Sequence, residues 1–295
     1  MTASLRMALL LHVLLAGWLH FCHAGVPTPA EYFPLQWVNH DTAPQDAAGT
    51  SLSQNQTSSS FYWKQRFYRH DDFFQGPGNP IFLIMGGEGN IEPTTGLFYP
   101  VVVHRYAAAL GAAVLQPEHR FYGESQPISR TTIDEARRQG QEDPRVTLLT
   151  LDQALQDALR LTRWMAQTTW NCAVHDDKSS PHYCPIIAVG GSYPGFMAAM
   201  ARFRYPHLVD IGYAASAPMK FYAQQVPQTA YYQHITQVAE QAVPGCARAV
   251  QDTLQRVADY LLTSSSSVPT AATAVGVCPG TVPAYITSTQ VLVQE

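Results

Sequence analysis

The stretch Ile186-Ile187-Ala188-Val189-Gly190-Gly191-Ser192-Tyr193-Pro194-Gly195-Phe196 constrains this chain more than any other. A β-branched run enters a glycine turn with a serine at its apex, and a helical stretch from Phe196 to Arg204 follows. Strand, sharp turn, serine and helix is the layout of a nucleophile elbow. In that layout the turn strains the serine backbone and small neighbours let other backbone pass close. The hydroxyl then projects above the sheet edge, beside the first free N–H groups of the helix. The usual spacing puts glycine two residues before and two residues after the serine. Here Gly190 holds the first place and Pro194 the second, and the glycine comes one residue later at Gly195. A plain structural turn is the competing reading of so short a pattern.

The surroundings repeat the same alternation. Phe61 to Tyr68 is rich in strand-forming residues, and Ile81-Phe82-Leu83-Ile84-Met85 is a wholly apolar run of the kind covered on both faces. Gly86-Gly87-Glu88-Gly89-Asn90 follows it directly. Val101 to Leu110 reads as a short helix and Ala112 to Leu115 as another buried strand. Ile128 to Arg145 is polar and charged, as expected of a surface excursion. Thr150 and Gln153 have capping-box spacing, and Leu151, Leu155, Ala158, Leu159, Thr162 and Met165 form one apolar helical face. Ile211 to Ala215 makes the next strand and Ser216-Ala217-Pro218 ends it. Buried strands alternating with helices predict an α/β fold with a doubly wound, mostly parallel sheet, whose catalytic groups sit at the carboxyl ends of strands.

Outside this core the pattern changes. Residues 1–24 read as a signal peptide: Arg6 supplies the charge, Met7 to Leu19 the apolar core, and Cys22-His23-Ala24 a cleavage site. An uncleaved anchor is the weaker alternative, because the run is short for a bilayer. Residues 25–60 read as extended and then low in complexity, so that folded structure is expected from Phe61. Residues 61–218 hold the strand–helix units, and 219–295 read as amphipathic helices broken at Pro227 and Pro244-Gly245. Removing the leader takes Cys22 away and leaves Cys172, Cys184, Cys246 and Cys278, which suits two disulfides in an oxidising compartment. All three pairings are open. Cys172–Cys184 with Cys246–Cys278 is preferred, since each pair brackets one loop or helical unit. Asn55-Gln56-Thr57 is a glycosylation sequon in a polar stretch.

The chemistry follows from the elbow. A net charge of −4, with 14% charged residues, argues against a nucleic-acid partner. The cysteine and histidine spacings offer no metal site, and the glycine run lacks both a Gly-Lys-Ser/Thr ending and Gly-x-Gly-x-x-Gly spacing, so no nucleotide cofactor is expected. Ser192 is the candidate nucleophile. The Tyr193 backbone N–H is one candidate oxyanion donor, and the Gly87 N–H, from the loop after an earlier strand, is the second. Glu118, His119, Arg120 and Glu124 read better as an ion-pair network than as cleft residues. His119 is not the expected base, because acid and base follow the serine in this architecture. After Ser192 stand only His207, at a helix end, and His234, in a polar helix; Asp210, Asp252 and Asp259 lack strand-end context.

Taken together, Gly190 to Gly195, Arg204-Tyr205-Pro206-His207 and Ala214 to Pro218 resemble the family of lysosomal prolyl carboxypeptidase, dipeptidyl peptidase II and thymus-specific serine protease. Gln65 to Tyr68, Gly86 to Gly89 and Glu118 to Ser125 match in the same order. Pro194 departs from that family, which commonly has a second glycine there. The resemblance implies an α/β-hydrolase fold with a helical cap inserted after Pro218, and serine exopeptidases, carboxypeptidase or dipeptidyl peptidase, that cut peptides next to proline. It implies a secreted, lysosomal or vacuolar setting without stable membrane association, admits a homodimer, and places the triad Asp and His beyond the cap. On that reading the chain stops inside the cap, a fragment or truncated gene product with the triad Asp and His not in this chain. Such a chain is expected to be nearly inactive and prone to aggregate. A catalytically inactive secreted binder and a lipase or esterase on the same scaffold are the alternatives.

Overall fold

The computed structural model describes residues 29–42, 62–91, 99–173, 177–277 and Ser288. The expected leader at 1–24, the sequon at Asn55, most of the low-complexity stretch and Cys278 lie outside these residues. The chain divides into two compact units, Met1–Met219 and Lys220–Glu295.

The first unit is built on a six-stranded sheet. Its strands are β1 (Glu31–Trp37), β2 (Tyr62–His70), β3 (Ile81–Ile84), β4 (Ala113–Pro117), β5 (Ile186–Gly191) and β6 (Ile211–Ala215), in the order β1-β2-β4-β3-β5-β6. β4, β3, β5 and β6 run parallel, whereas β1 and β2 pair antiparallel with their neighbours. Parallel neighbours need crossovers, and each is carried by helix. A π-helical segment (Val102–Ala107) and a last α-turn (Ala108–Leu110) link β3 to β4. Helices α1 (Arg130–Arg138) and α2 (Leu151–Thr168) link β4 to β5, and α3 (Tyr193–Arg204) links β5 to β6.

β3 shows why the sheet needs cover on both faces. Leu83 points to one side, in a cluster with Leu155 and Leu159 of α2, Met197 of α3, Ala188 of β5 and Val209. Phe82 and Ile84 point to the other, packing with Val102, Val103, Val114 and Val189. All four β3 side chains are buried, which is what a continuous apolar run in a central parallel strand predicts. The expected α2 face is buried at Leu155, Ala158, Leu159, Thr162 and Met165 and half-buried at Leu151.

Three expectations need correction. Folded structure begins before Phe61: Glu31–Trp37 is a sheet strand, with Phe33 and Trp37 buried. Its proline sits in a register shift between Phe33 and Gln36 on an edge strand, where a missing N–H is tolerated. The polar stretch before α2 is not all surface loop. It contains α1, capped by the Ser129 hydroxyl accepting the Thr132 N–H, with Ile133 and Ala136 buried. The Thr150 cap does form, with its hydroxyl accepting the Gln153 N–H. The Gln153 side chain, however, turns away to accept from the His40 N–H and Arg120 and to donate to Asn39 and Asp41.

The preferred Cys172–Cys184 disulfide is present, with Cα atoms 5.6 Å apart. It closes the loop between α2 and β5. The described residues of the second unit include α4 (Ala230–Ala242), α5 (Cys246–Thr263) and α6 (Val268–Ala274). The break expected at Pro244-Gly245 separates α4 from α5, with Gly245 at φ 82°. Cys246 is half-buried; its preferred partner lies outside the described residues. No described helix is long and apolar enough to cross a membrane.

Candidate active site

Ser192 stands between β5 and α3 at φ 58° and ψ −130°, a positive φ that a serine adopts only at a cost of about 1–3 kcal/mol. The surrounding structure holds it there. Its N–H donates to the Ala215 carbonyl of β6 and its own carbonyl accepts the Phe196 N–H, starting the helix. Two glycines make the crossing possible. A Cβ on Gly190 would lie 2.1 Å from the Pro194 carbonyl oxygen, and one on Gly195 2.9 Å from the carbonyls of Ala215 and Gly190. Gly195 thus admits the close approach to the neighbouring strand although it stands one residue late. Pro194, in the first turn of α3, needs no amide partner. The serine is exposed to solvent.

The Gly86–Gly87 loop comes up beside this turn. Gly86 is pressed against β4, where a Cβ would meet the Pro117 carbonyl at 2.4 Å and the His119 nitrogen at 2.9 Å. On Gly87 a Cβ would lie 2.9 Å from Pro194 Cγ. The loop is therefore wedged between the end of β4 and the proline ring of the elbow, which sets Gly87 against Pro194, the residue that follows Tyr193. Sequence reasoning gave no hint of Tyr99. It sits at φ 55°, and its hydroxyl accepts the Gly191 N–H at 2.9 Å, gripping the residue before the serine from 92 positions away. No local pattern encodes such a contact.

The charged cluster at the end of β4 is the expected network, with one exception. Arg66 donates to Glu118 at 2.6 Å and to Glu124 at 3.2 Å, and Glu118 also accepts the Ile91 and Glu124 N–H groups. Arg120, wholly buried, forks onto Asp157 with two contacts of 2.6 Å and donates to the Leu148 and Trp37 carbonyls. His40 makes a third contact to Asp157 at 2.7 Å. His119 is the exception: its ring faces the elbow, with Nε2 3.1 Å from the Tyr193 hydroxyl. Burial holds its imidazole below the ordinary histidine value, against the opposing pull of the Arg120 carbonyl.

In the first unit, no histidine or carboxylate among the described residues is hydrogen-bonded to Ser192. His207 is exposed beside Tyr205 at the far end of α3. Asp210 serves structure: it accepts from Lys178, the Tyr183 hydroxyl and the Ile186 N–H. In the second unit Asp252 pairs with Arg248 on its own helix, Asp259 accepts from Gln255, and His234 is exposed. Among the described residues no group of His, Cys, Asp or Glu is arranged to hold a metal ion.

On a sheet of this order, a strained serine between a parallel strand and its following helix has the layout of an α/β-hydrolase nucleophile elbow. The chain matches the family described as serine carboxypeptidase S28 over residues 52–279, more than half its length, and belongs to that family. It is 30% identical over 202 residues to the lysosomal Pro-X carboxypeptidase of Bos taurus, a match covering 66% of this chain and 36% of that protein. The Homo sapiens protein of the same name is 30% identical over 191 residues, 64% of this chain and 34% of that protein. Thymus-specific serine protease of Homo sapiens is 34% identical over 160 residues, 53% of this chain and 26% of that protein. The chain spans about a third of the length of these curated relatives.

Proposed function

We propose that this chain carries the nucleophile and oxyanion site of a serine exopeptidase that cleaves peptides next to proline. The observation that carries the reading is Ser192, exposed at φ 58° between β5 and α3 with the Gly87 loop wedged against its elbow. Ser192 Oγ attacks the scissile carbonyl carbon, and the C=O electron pair moves onto oxygen. The Tyr193 and Gly87 N–H groups meet that oxyanion, each such donor being worth about 10²–10³ in rate. The serine proton passes to a histidine base and on to the departing amine, leaving an acyl-enzyme that water hydrolyses. No described residue of the first unit takes the base's place, and His119 is already engaged with Tyr193.

The preference for proline and a lysosomal setting rest on the relatives' names, because a fold does not choose a substrate, and a secreted one on the leader read at 1–24. The glycosylation at Asn55 and the leader at 1–24 belong to the same proposal. The test is the product of the complete reading frame, made through the secretory pathway and assayed at acidic pH. Peptides with proline next to the terminal residue, and peptides with proline second from the amino terminus, separate carboxypeptidase from dipeptidyl peptidase. Release of one terminal product, abolished by Ser192→Ala, is expected. Hydrolysis of simple esters with no peptide cleavage would reassign the chain to the esterases. Peptide binding unaffected by Ser192→Ala, without turnover, would make it a binding protein.

A further inference from the structure

We propose that His119 is a positioning residue that sets the gap between the two oxyanion donors, a proposal resting on the serine-nucleophile reading. His119 touches both sides of that gap. Its backbone nitrogen lies where a Cβ on Gly86 would be 2.9 Å away, so it backs the loop that presents Gly87. Its side chain meets the elbow, with Nε2 3.1 Å from the hydroxyl of Tyr193, whose backbone supplies the other donor.

The direction of these bonds follows from the chemistry of the partners. Nδ1 lies 2.8 Å from the Arg120 carbonyl, which only accepts, so Nδ1 carries the proton. In the neutral ring Nε2 is then an acceptor, and the Tyr193 hydroxyl donates to it. The ring has little freedom to do otherwise. It is 5% exposed and meets the Tyr122 ring edge-on, with centroids 5.2 Å apart. The base role is also closed to it, because its one acceptor nitrogen is occupied. The residue following the nucleophile is thus tied by its side chain to the strand end that supports the opposite donor. A displacement of about 1 Å in such a site can cost about 10²-fold in rate.

The experiment uses the product of the complete reading frame with selectively 15N-labelled histidine, tyrosine and glycine. Three variants are compared with the wild type: Tyr193→Phe, His119→Gln, which keeps an acceptor, and His119→Leu, which does not. One readout is the ring tautomer of His119 and the amide resonances of Tyr193 and Gly87, none of which requires turnover. The other is the second-order rate of Ser192 labelling by a fluorophosphonate. The expected wild-type tautomer carries its proton on Nδ1. Tyr193→Phe and His119→Leu are expected to move both amide resonances and slow labelling roughly tenfold to a hundredfold, with His119→Gln recovering most of the rate. A proton on Nε2 would overturn the proposal. So would amide shifts and labelling in Tyr193→Phe that match the wild type, even if His119→Leu fails to fold. Wild-type protein whose Ser192 takes no label would instead refute the nucleophile reading, and the oxyanion role of His119 with it.

Discussion

Gly87→Ala probes the contact that joins the Gly86–Gly87 loop to the elbow, where the proposed oxyanion donors meet. The added Cβ would stand 2.9 Å from Pro194 Cγ and 3.6 Å from Cδ, whereas carbon atoms pack best at about 3.5–4.0 Å. The shortfall is roughly 0.6 Å at the nearer atom. The proline cannot retreat freely, because its carbonyl already presses on Gly190. The loop cannot retreat either, since Gly86 lies against Pro117 and His119. Overpacking of this kind costs about 1–3 kcal/mol. At about 2–4 °C per kcal/mol for a chain of this class, melting should fall by roughly 2–12 °C. The Gly87 N–H would move off its line to the oxyanion, and Ser192 acylation should slow by about 10- to 10²-fold. Pro194→Gly removes the opposing ring, so Gly87→Ala in that background should cost far less. The double-mutant cycle should show a coupling of about 0.5–3 kcal/mol, read from melting curves and from fluorophosphonate labelling rates. Strictly additive costs would refute the claim that the ring and the loop are in contact.

Other outcomes follow from the network and from charge. Arg120→Met leaves Asp157 buried with only His40 beside it, and denaturant unfolding should show a loss of about 3–5 kcal/mol. Asp210 feels burial first, which raises its value, but its bonds to Lys178, Tyr183 and the Ile186 N–H hold it below the ordinary carboxylate range. Its charged form therefore favours the fold above the ordinary value, and that contribution disappears as pH falls through the lowered one. Asp210→Asn should accordingly lower the urea midpoint more at about pH 6 than at about pH 2; an equal or reversed gap would contradict this sign. His119 behaves differently, because it is its neutral form that is buried. Its contribution is complete above the unfolded histidine value and shrinks as pH falls below it, so His119→Gln should weaken the acid dependence between about pH 7 and pH 5.

What could be read from the sequence was local. Ile186 to Phe196 holds strand, turn and helix within eleven consecutive residues, and the structure follows it, down to a late glycine that still meets Ala215. The apolar run at β3 and the periodic face of α2 were equally plain, since both are single-element patterns. β1 was hidden because its strand character depends on a partner about thirty residues away. The helix α1 was obscured by charge, with only Ile133 and Ala136 turned inward. Gln153 satisfied a capping pattern in the sequence, while in the fold its side chain is claimed by Arg120 and the chain after β1. Tyr99 and the His119–Tyr193 bond belong to tertiary structure alone. The preference for a network over a cleft role at Glu118 and Arg120 rested on charge at a strand end, and the ion pairs to Arg66 and Asp157 agree with it.

The most direct measurement is peptide mapping by mass spectrometry after the product of the complete reading frame is treated with a fluorophosphonate at acidic pH. A single phosphonyl adduct is expected on the peptide containing Ser192, lost in Ser192→Ala and slowed in Gly87→Ala. An unlabelled Ser192, or an adduct on another residue that persists in Ser192→Ala, would contradict it.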